Sequence, residues 1–163
     1  MRRRCYGRTD AGLSPEGRDH ADAIASRLEG EKLHAVYSSP QRRAVQTATP
    51  IAVSHELRIS LVDDLRELDF GEFEGRSYEE IEEAYPRLYE KWMADPTGLR
   101  FPGGEDFDQM RRRVTACIDR LIEIHADATI ALVSHGGVNR IALAEALSVP
   151  KRNLFRISQD YGH

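Results

Sequence analysis

Cysteine is almost missing from this sequence. There are two in 163 residues, Cys5 and Cys117, far apart along the chain. That spacing fits neither a disulfide framework nor a zinc site, and it suits a reducing compartment, so a cytoplasmic protein is expected. Long apolar runs are missing too. The longest are about five residues, against the ~20 needed to span a bilayer. Nothing apolar follows the basic start as a signal peptide requires, so no membrane partner is expected. A positive excess is the third absence. The formal net charge is -4, and the two basic clusters, Arg2-Arg3-Arg4 and Arg111-Arg112-Arg113, are too short for a polybasic tail. No nucleic-acid partner is expected.

What remains is an ordinary globular composition, 40% hydrophobic and 31% charged, long enough to bury one core. No repeat, low-complexity tract or linker divides it, so residues 1–163 are read as a single domain. Residues 1–13 have no period. Ser14-Pro15 then has the form of an N-cap followed by proline in the first helical turn. Ala21, Ile24, Ala25 and Leu28 form the apolar stripe, and Gly30 ends the helix. Residues 34–39 read as a short strand. Ser39-Pro40 repeats the cap signal, opening a helix that Pro50 limits. Residues 56–62 alternate as a strand, and 63–76 form a loop. Ser77 to Glu80 is a capping box for a helix that Pro86 interrupts. After a loop at 95–106 comes a long helix with Phe107, Met110, Val114, Cys117, Ile118, Leu121 and Ile122 on one face. A strand at 129–134 and a helix at 137–147 follow. Helices alternating with apolar strands predict an α/β fold with a mainly parallel sheet covered on both faces.

Three places could carry chemistry, and each has two readings. Arg42 and Arg43 lie at the start of a helix, where the dipole disfavours cations by roughly 0.3–1 kcal/mol each. They are either a solvated surface pair or ligands of an anion held at that helix end. Glu67 sits among Leu65, Leu68, Phe70 and Phe73. It is either a solvated loop carboxylate or a crowded acid with a raised pKa, suited to general acid catalysis. His135 follows the strand at 129–134 and precedes Gly136 and Gly137. It is either a structural histidine or a ligand at the carboxyl end of a parallel strand, where open α/β sheets bind substrates and small residues let backbone approach them.

Taken in order, 7–21 (GRTDAGLSPEGRDHA), 38–48 (SSPQRRAVQTA), 65–75 (LRELDFGEFEG), 101–107 (FPGGEDF) and 132–137 (LVSHGG) resemble the histidine phosphatase, or phosphoglycerate mutase-like, superfamily. The resemblance covers the whole chain. It implies a three-layer α/β/α sandwich around a mostly parallel sheet and a small-molecule phosphomonoester as substrate, with no metal and no cofactor. It also implies roles. Arg43 matches the phosphate-binding arginine. Glu67 matches the acid that protonates the leaving oxygen and later activates water. His135 matches the second histidine, which contacts the phosphoryl group. Tyr6 and Gly7 fall where a backbone contact lies near the phosphate, and Gly136 falls beside His135 on the phosphate side.

One part of the pattern is missing. The family's first strand ends in Arg-His-Gly, whose histidine becomes phosphorylated, and this sequence has no Arg-His-Gly. Residues 153–163 resemble the lead-in to the family's last strand. The expectation is therefore a domain truncated at both ends, lacking the first and last strands, with the lost first strand neighbouring 129–134. His20, His34, His55, His125 and His163 match no catalytic position. Gln41 stands in place of the usual leucine, Phe73 of tryptophan and Asp106 of serine, and none of these is expected to touch a catalytic residue. Within the family the chain looks most like α-ribazole phosphatase of cobalamin biosynthesis. The alternatives are a general sugar-phosphate phosphatase, a phosphoglycerate mutase-like enzyme, and a non-catalytic phospho-ligand-binding fragment. The mutase is weakened by the short stretch, 25 residues, between Gly75 and Phe101.

Overall fold

A computed structural model describes residues 4–159. Arg2, Arg3 and the end of the 153–163 segment, with His163, lie outside the described residues. The elements are α1 (Pro15–Leu28), β1 (Leu33–Ser38), α2 (Arg42–Ser54), β2 (Ile59–Leu61), α3 (Tyr78–Ala84), α4 (Pro86–Ala94), α5 (Phe107–Ile124), β3 (Thr129–Val133) and α6 (Gly136–Ala146), with short 3-10 turns at 63–65, 71–73 and 151–156. The three strands are parallel, in the order β2-β1-β3.

Alternation along β1 and β3 separates two apolar layers, as strand geometry requires. Val36, Ala131 and Val133 face α1 and α2, where they meet Ala25, Ala48, Ile51 and Ala52. Tyr37, Ile130 and Leu132 face α5 and α6, packing on Val114, Cys117, Leu121, Val138 and Ile141. This is the expected α/β/α layering. A third cluster, Cys5, Phe73, Ile81, Trp92, Leu99 and Phe101, lies beneath the segment that carries α3 and α4. Its rings meet largely edge to face, with Trp92 and Phe101 centroids 5.5 Å apart, the arrangement ring quadrupoles favour. Phe73, in the place of tryptophan, is fully buried there. Both cysteines are free and buried. No described helix is long and apolar enough to cross a membrane.

The N-cap at Ser14 and the capping box at Ser77 form as their sequences predict, and Asp106 with Gln109 closes a second capping box at the start of α5. Three expectations are corrected. The second helix starts at Arg42, not directly after Ser39-Pro40, because Ser39 is committed elsewhere and Asp10 Oδ1 accepts from the Arg42 N–H at 2.7 Å. Pro50 lies inside that helix instead of ending it. A mid-helix proline costs about 3 kcal/mol, and the buried stripe of Ala48, Ile51 and Ala52 outweighs it. The strand read at 56–62 shrinks to Ile59–Leu61. Glu56 turns at φ 55°, and the Leu57 N–H bonds back to Ala52 O at 2.9 Å, so these residues close α2.

Candidate active site

All three parallel strands end at the same edge of the sheet, and the candidate residues leave from that edge. β1 runs into Ser38 and Ser39, both fully buried. β2 leads through the turn at 63–65 to Glu67. β3 runs into Ser134 and His135, and His135 is the extended N-cap residue of α6. The N-termini of α2 and α6 therefore both open toward this edge and bring the positive ends of their dipoles with them.

His135 is 7% exposed. Its Nε2 lies 2.8 Å from Ser39 Oγ. Burial, then the charges of Arg43, Arg113, Arg8 and Arg66, hold its pKa down to about 3. The ring is neutral at physiological pH. Arg43 forks onto the loop before α1: Nη1 donates to Thr9 O at 2.8 Å and Nη2 to Gly7 O at 2.9 Å, with Tyr6 O at 3.5 Å. The backbone at Tyr6 and Gly7 thus meets the arginine through its carbonyl oxygens. Glu67 Oε2 accepts from the Gly137 N–H at 3.0 Å and Oε1 from the Leu68 N–H at 2.9 Å. Burial raises the Glu67 pKa, opposed by those two N–H groups and by Arg43 and Arg113. The crowded-acid reading of Glu67 is the one the packing supports. The close approach expected of the glycine pair falls on Gly137, where an added Cβ would strike Glu67 Oε1 and Met110. Gly136 opens α6, and its carbonyl accepts from Arg140 Nη1 at 3.2 Å.

Gln41 corrects a further expectation, because it does touch the site. Its buried side chain donates from Nε2 to Gly7 O at 2.5 Å and accepts at Oε1 from the Glu67 N–H at 3.1 Å. One amide therefore ties the Arg43 loop to the Glu67 loop, which leucine could not do. Sequence reasoning missed two more groups. Glu74 takes the N–H groups of Gly7, Arg8 and Thr9 and the Thr9 hydroxyl on one carboxylate. Arg113 donates to the carbonyls of Asp64, Arg66 and Glu67 and pairs with Glu105 at 2.5 Å. The signal for Arg113 was present: it sits on the apolar face of α5, three residues after Met110 and beside Val114.

Residues 1–163 match the profile described as the histidine phosphatase superfamily, branch 1. The chain belongs to the histidine phosphatase superfamily. Among curated relatives it is 38% identical over 159 residues to the bifunctional protein Rv2228c of Mycobacterium tuberculosis, covering 97% of this chain and 43% of that protein. It is 33% identical over 132 residues to phosphoserine phosphatase 1 of Hydrogenobacter thermophilus, covering 81% and 63%. Among solved structures, a putative α-ribazole-5′-P phosphatase of Escherichia coli superposes with a TM-score of 0.90 at 26% identity, covering 98% of this chain and 78% of that one. The chain thus spans less than half of the mycobacterial relative and under two thirds of the phosphoserine phosphatase. The superfamily's α/β fold is the one described above, and relatives such as phosphoserine phosphatase 1 are named as phosphatases.

Among the described histidines, His135 alone lies at this edge with recorded site contacts. His34 bonds Thr129 at the other end of the strands, His55 bonds the carbonyls closing α1 and α2, and His125 meets Tyr37 at the end of α5.

Proposed function

We propose that this edge is the phosphoryl site of a phosphomonoesterase that works through a phosphohistidine. The observation that supports the reading is the convergence of Arg43, neutral His135 and a Glu67 of raised pKa on one hydrogen-bonded frame. Arg43 and the two helix N-termini bind the phosphate dianion. His135 lies beside the phosphoryl oxygens and donates to one of them as charge builds there. In the first step a nucleophilic nitrogen attacks phosphorus and the ester P–O bond breaks. Glu67, whose pKa burial raises, gives its proton to the departing alkoxide. In the second step its carboxylate takes a proton from water as that water attacks phosphorus and the P–N bond breaks, releasing inorganic phosphate and the free imidazole. The nucleophile is the histidine of the family's Arg-His-Gly, a motif residues 1–163 do not contain, and not His135, since in-line attack needs a nitrogen about 3–3.5 Å from phosphorus on the face opposite the leaving oxygen and His135 is held to the side by Ser39. By itself, residues 1–163 bind phosphate without turning it over. As substrate we propose α-ribazole 5′-phosphate, supported by the likeness to the Escherichia coli structure, with other sugar phosphates as the alternative class.

The test compares residues 1–163 with the same chain carrying an added N-terminal strand that ends in Arg-His-Gly. The expected result is no labelled phosphohistidine and no turnover from the former and both from the latter. In the extended protein, Arg43→Lys should lose about 2 kcal/mol or more of kcat/KM, because lysine cannot reproduce the fork. Robust turnover by residues 1–163 that His135→Ala abolishes would overturn the mechanism.

A further inference from the structure

Among the described residues the His135 ring makes one hydrogen bond, between Nε2 and Ser39 Oγ at 2.8 Å. The serine is fixed on both sides of its side chain. Its N–H donates to Val133 O at 2.9 Å, and its carbonyl accepts from Ser38 Oγ at 2.8 Å. It is fully buried just past the end of β1. The histidine is fixed as well. Its carbonyl accepts from the Asn139 N–H at 2.8 Å, and Ser134 Oγ beside it donates to Leu65 O at 2.9 Å. The contact therefore joins the ends of two paired strands.

A neutral imidazole has one N–H and one bare nitrogen, and the partner of one nitrogen decides the state of the other. Burial, then the charges of four arginines, keeps this ring neutral. The serine hydroxyl has one proton to give. Its Oγ already accepts from the Gln41 N–H at 3.4 Å, and Nε2 is the one acceptor for that proton recorded among the described residues. With a proton on Nε2, the hydroxyl would receive two N–H groups and its own proton would be buried without an acceptor, which is costly. With the hydroxyl donating to Nε2, every group is paired and the ring proton lies on Nδ1. That atom can be reached. The side-chain nitrogens and oxygens that are both buried and unpartnered among the described residues are Arg8 Nε and Thr115 Oγ1. Nδ1 has no recorded partner and is not one of them, so it is open to solvent.

We propose that Ser39 is a positioning residue that holds the ring proton of His135 on Nδ1, and so makes Nδ1–H the donor to the phosphoryl oxygen. The proposal rests on the phosphate site described above. In the opposite tautomer the free nitrogen would be bare, and its lone pair would repel the phosphate oxygens. The assignment also accounts for the late start of α2. A serine ahead of a helix ordinarily caps it through its hydroxyl, but here the hydroxyl proton is directed at the histidine, and Gln41, without a side-chain cap, precedes the helix instead.

The experiment is a proton–nitrogen correlation spectrum of residues 1–163 with nitrogen-labelled histidine, at neutral pH, before and after addition of inorganic phosphate. Nε2 of His135 should appear as the bare nitrogen and Nδ1 as the protonated one, and the Nδ1–H signal should shift when phosphate binds. Ser39→Ala should bring in the Nε2–H form and weaken inorganic phosphate binding about tenfold, on the scale of one charge-assisted hydrogen bond. Ser39→Thr keeps the hydroxyl and should restore both. A change in packing alone would not move a proton from one ring nitrogen to the other. A protonated Nε2 in the unsubstituted chain, or a purely Nδ1–H ring in Ser39→Ala, overturns the proposal. The unsubstituted spectrum decides the matter if the variants do not fold. Failure to bind inorganic phosphate overturns the phosphate site and the donor role of Nδ1 with it, while the hold of Ser39 on the tautomer is still read from the phosphate-free spectra.

Discussion

An imidazole packed among guanidinium groups with little water cannot easily take a proton. His135 is in that position: burial is the larger cause, and Arg43 leads the surrounding charges. Because its folded pKa, about 3, lies below the ordinary 6.5, the unfolded chain binds the extra proton first as pH falls. The stability that a neutral His135 contributes is intact above pH 6.5 and is lost progressively toward pH 3. Glu67 acts in the opposite sense, since a raised folded pKa makes burial most costly where the carboxylate is charged. The melting temperature is thus expected to fall as pH drops below 6.5, with a shallower slope in His135→Gln. Carbon-labelled histidine spectra should show the His135 ring neutral to well below pH 5 and an upward shift of its titration when inorganic phosphate binds. A His135 resonance titrating near 6.5 without phosphate would show that the ring is not desolvated as described.

The segment that carries Glu67 is not regular structure, and its position comes from a neighbouring helix. Arg113 reaches from α5 to the carbonyls of Asp64, Arg66 and Glu67 while Glu105 balances its charge, and both side chains are largely buried, 17% and 14% exposed. Removing one member of such a pair strands the other and frees three carbonyls. Arg113→Gln is expected to cost about 3 kcal/mol in urea unfolding, on the scale of broken buried pairs. A cost under about 1 kcal/mol would place the loop's support elsewhere, in the aromatic cluster around Phe73 and Phe101. The helix ends behave differently. Their caps at Ser14, Ser77 and Asp106 are local, so they were legible without any knowledge of what packs nearby.

At the scale of the molecule, the sheet is unevenly protected. β1 is paired on both sides and covered on both faces, with Val36 fully buried. β3 pairs with β1 alone among the described residues, and its apolar residues Ile130 to Val133 are only partly buried. Stability within a fold follows such differences in pairing and burial. Hydrogen exchange should therefore protect the amides of β1 more strongly than those of β3, and a strand added beside β3 should remove much of that difference. Equal protection in residues 1–163 would show that β3 opens only when the whole domain does.

By itself the sequence determined the order and type of the elements, because periodicity and caps act over a few residues. It also placed Arg43 at a helix start and His135 at a strand end, and the ordered motifs identified the family. The boundaries of α2 and β2 were not legible, because the stripe that carries α2 past Pro50 and the reversal at Glu56 depend on packing. The roles of Gln41, Glu74, Arg113 and Ser39 were decided only in three dimensions. Gln41 joins residues 7 and 67, and Arg113 holds residues 64 to 67 from α5. Contacts across such separations leave no periodic trace, because the chain between them adds distance but no pattern.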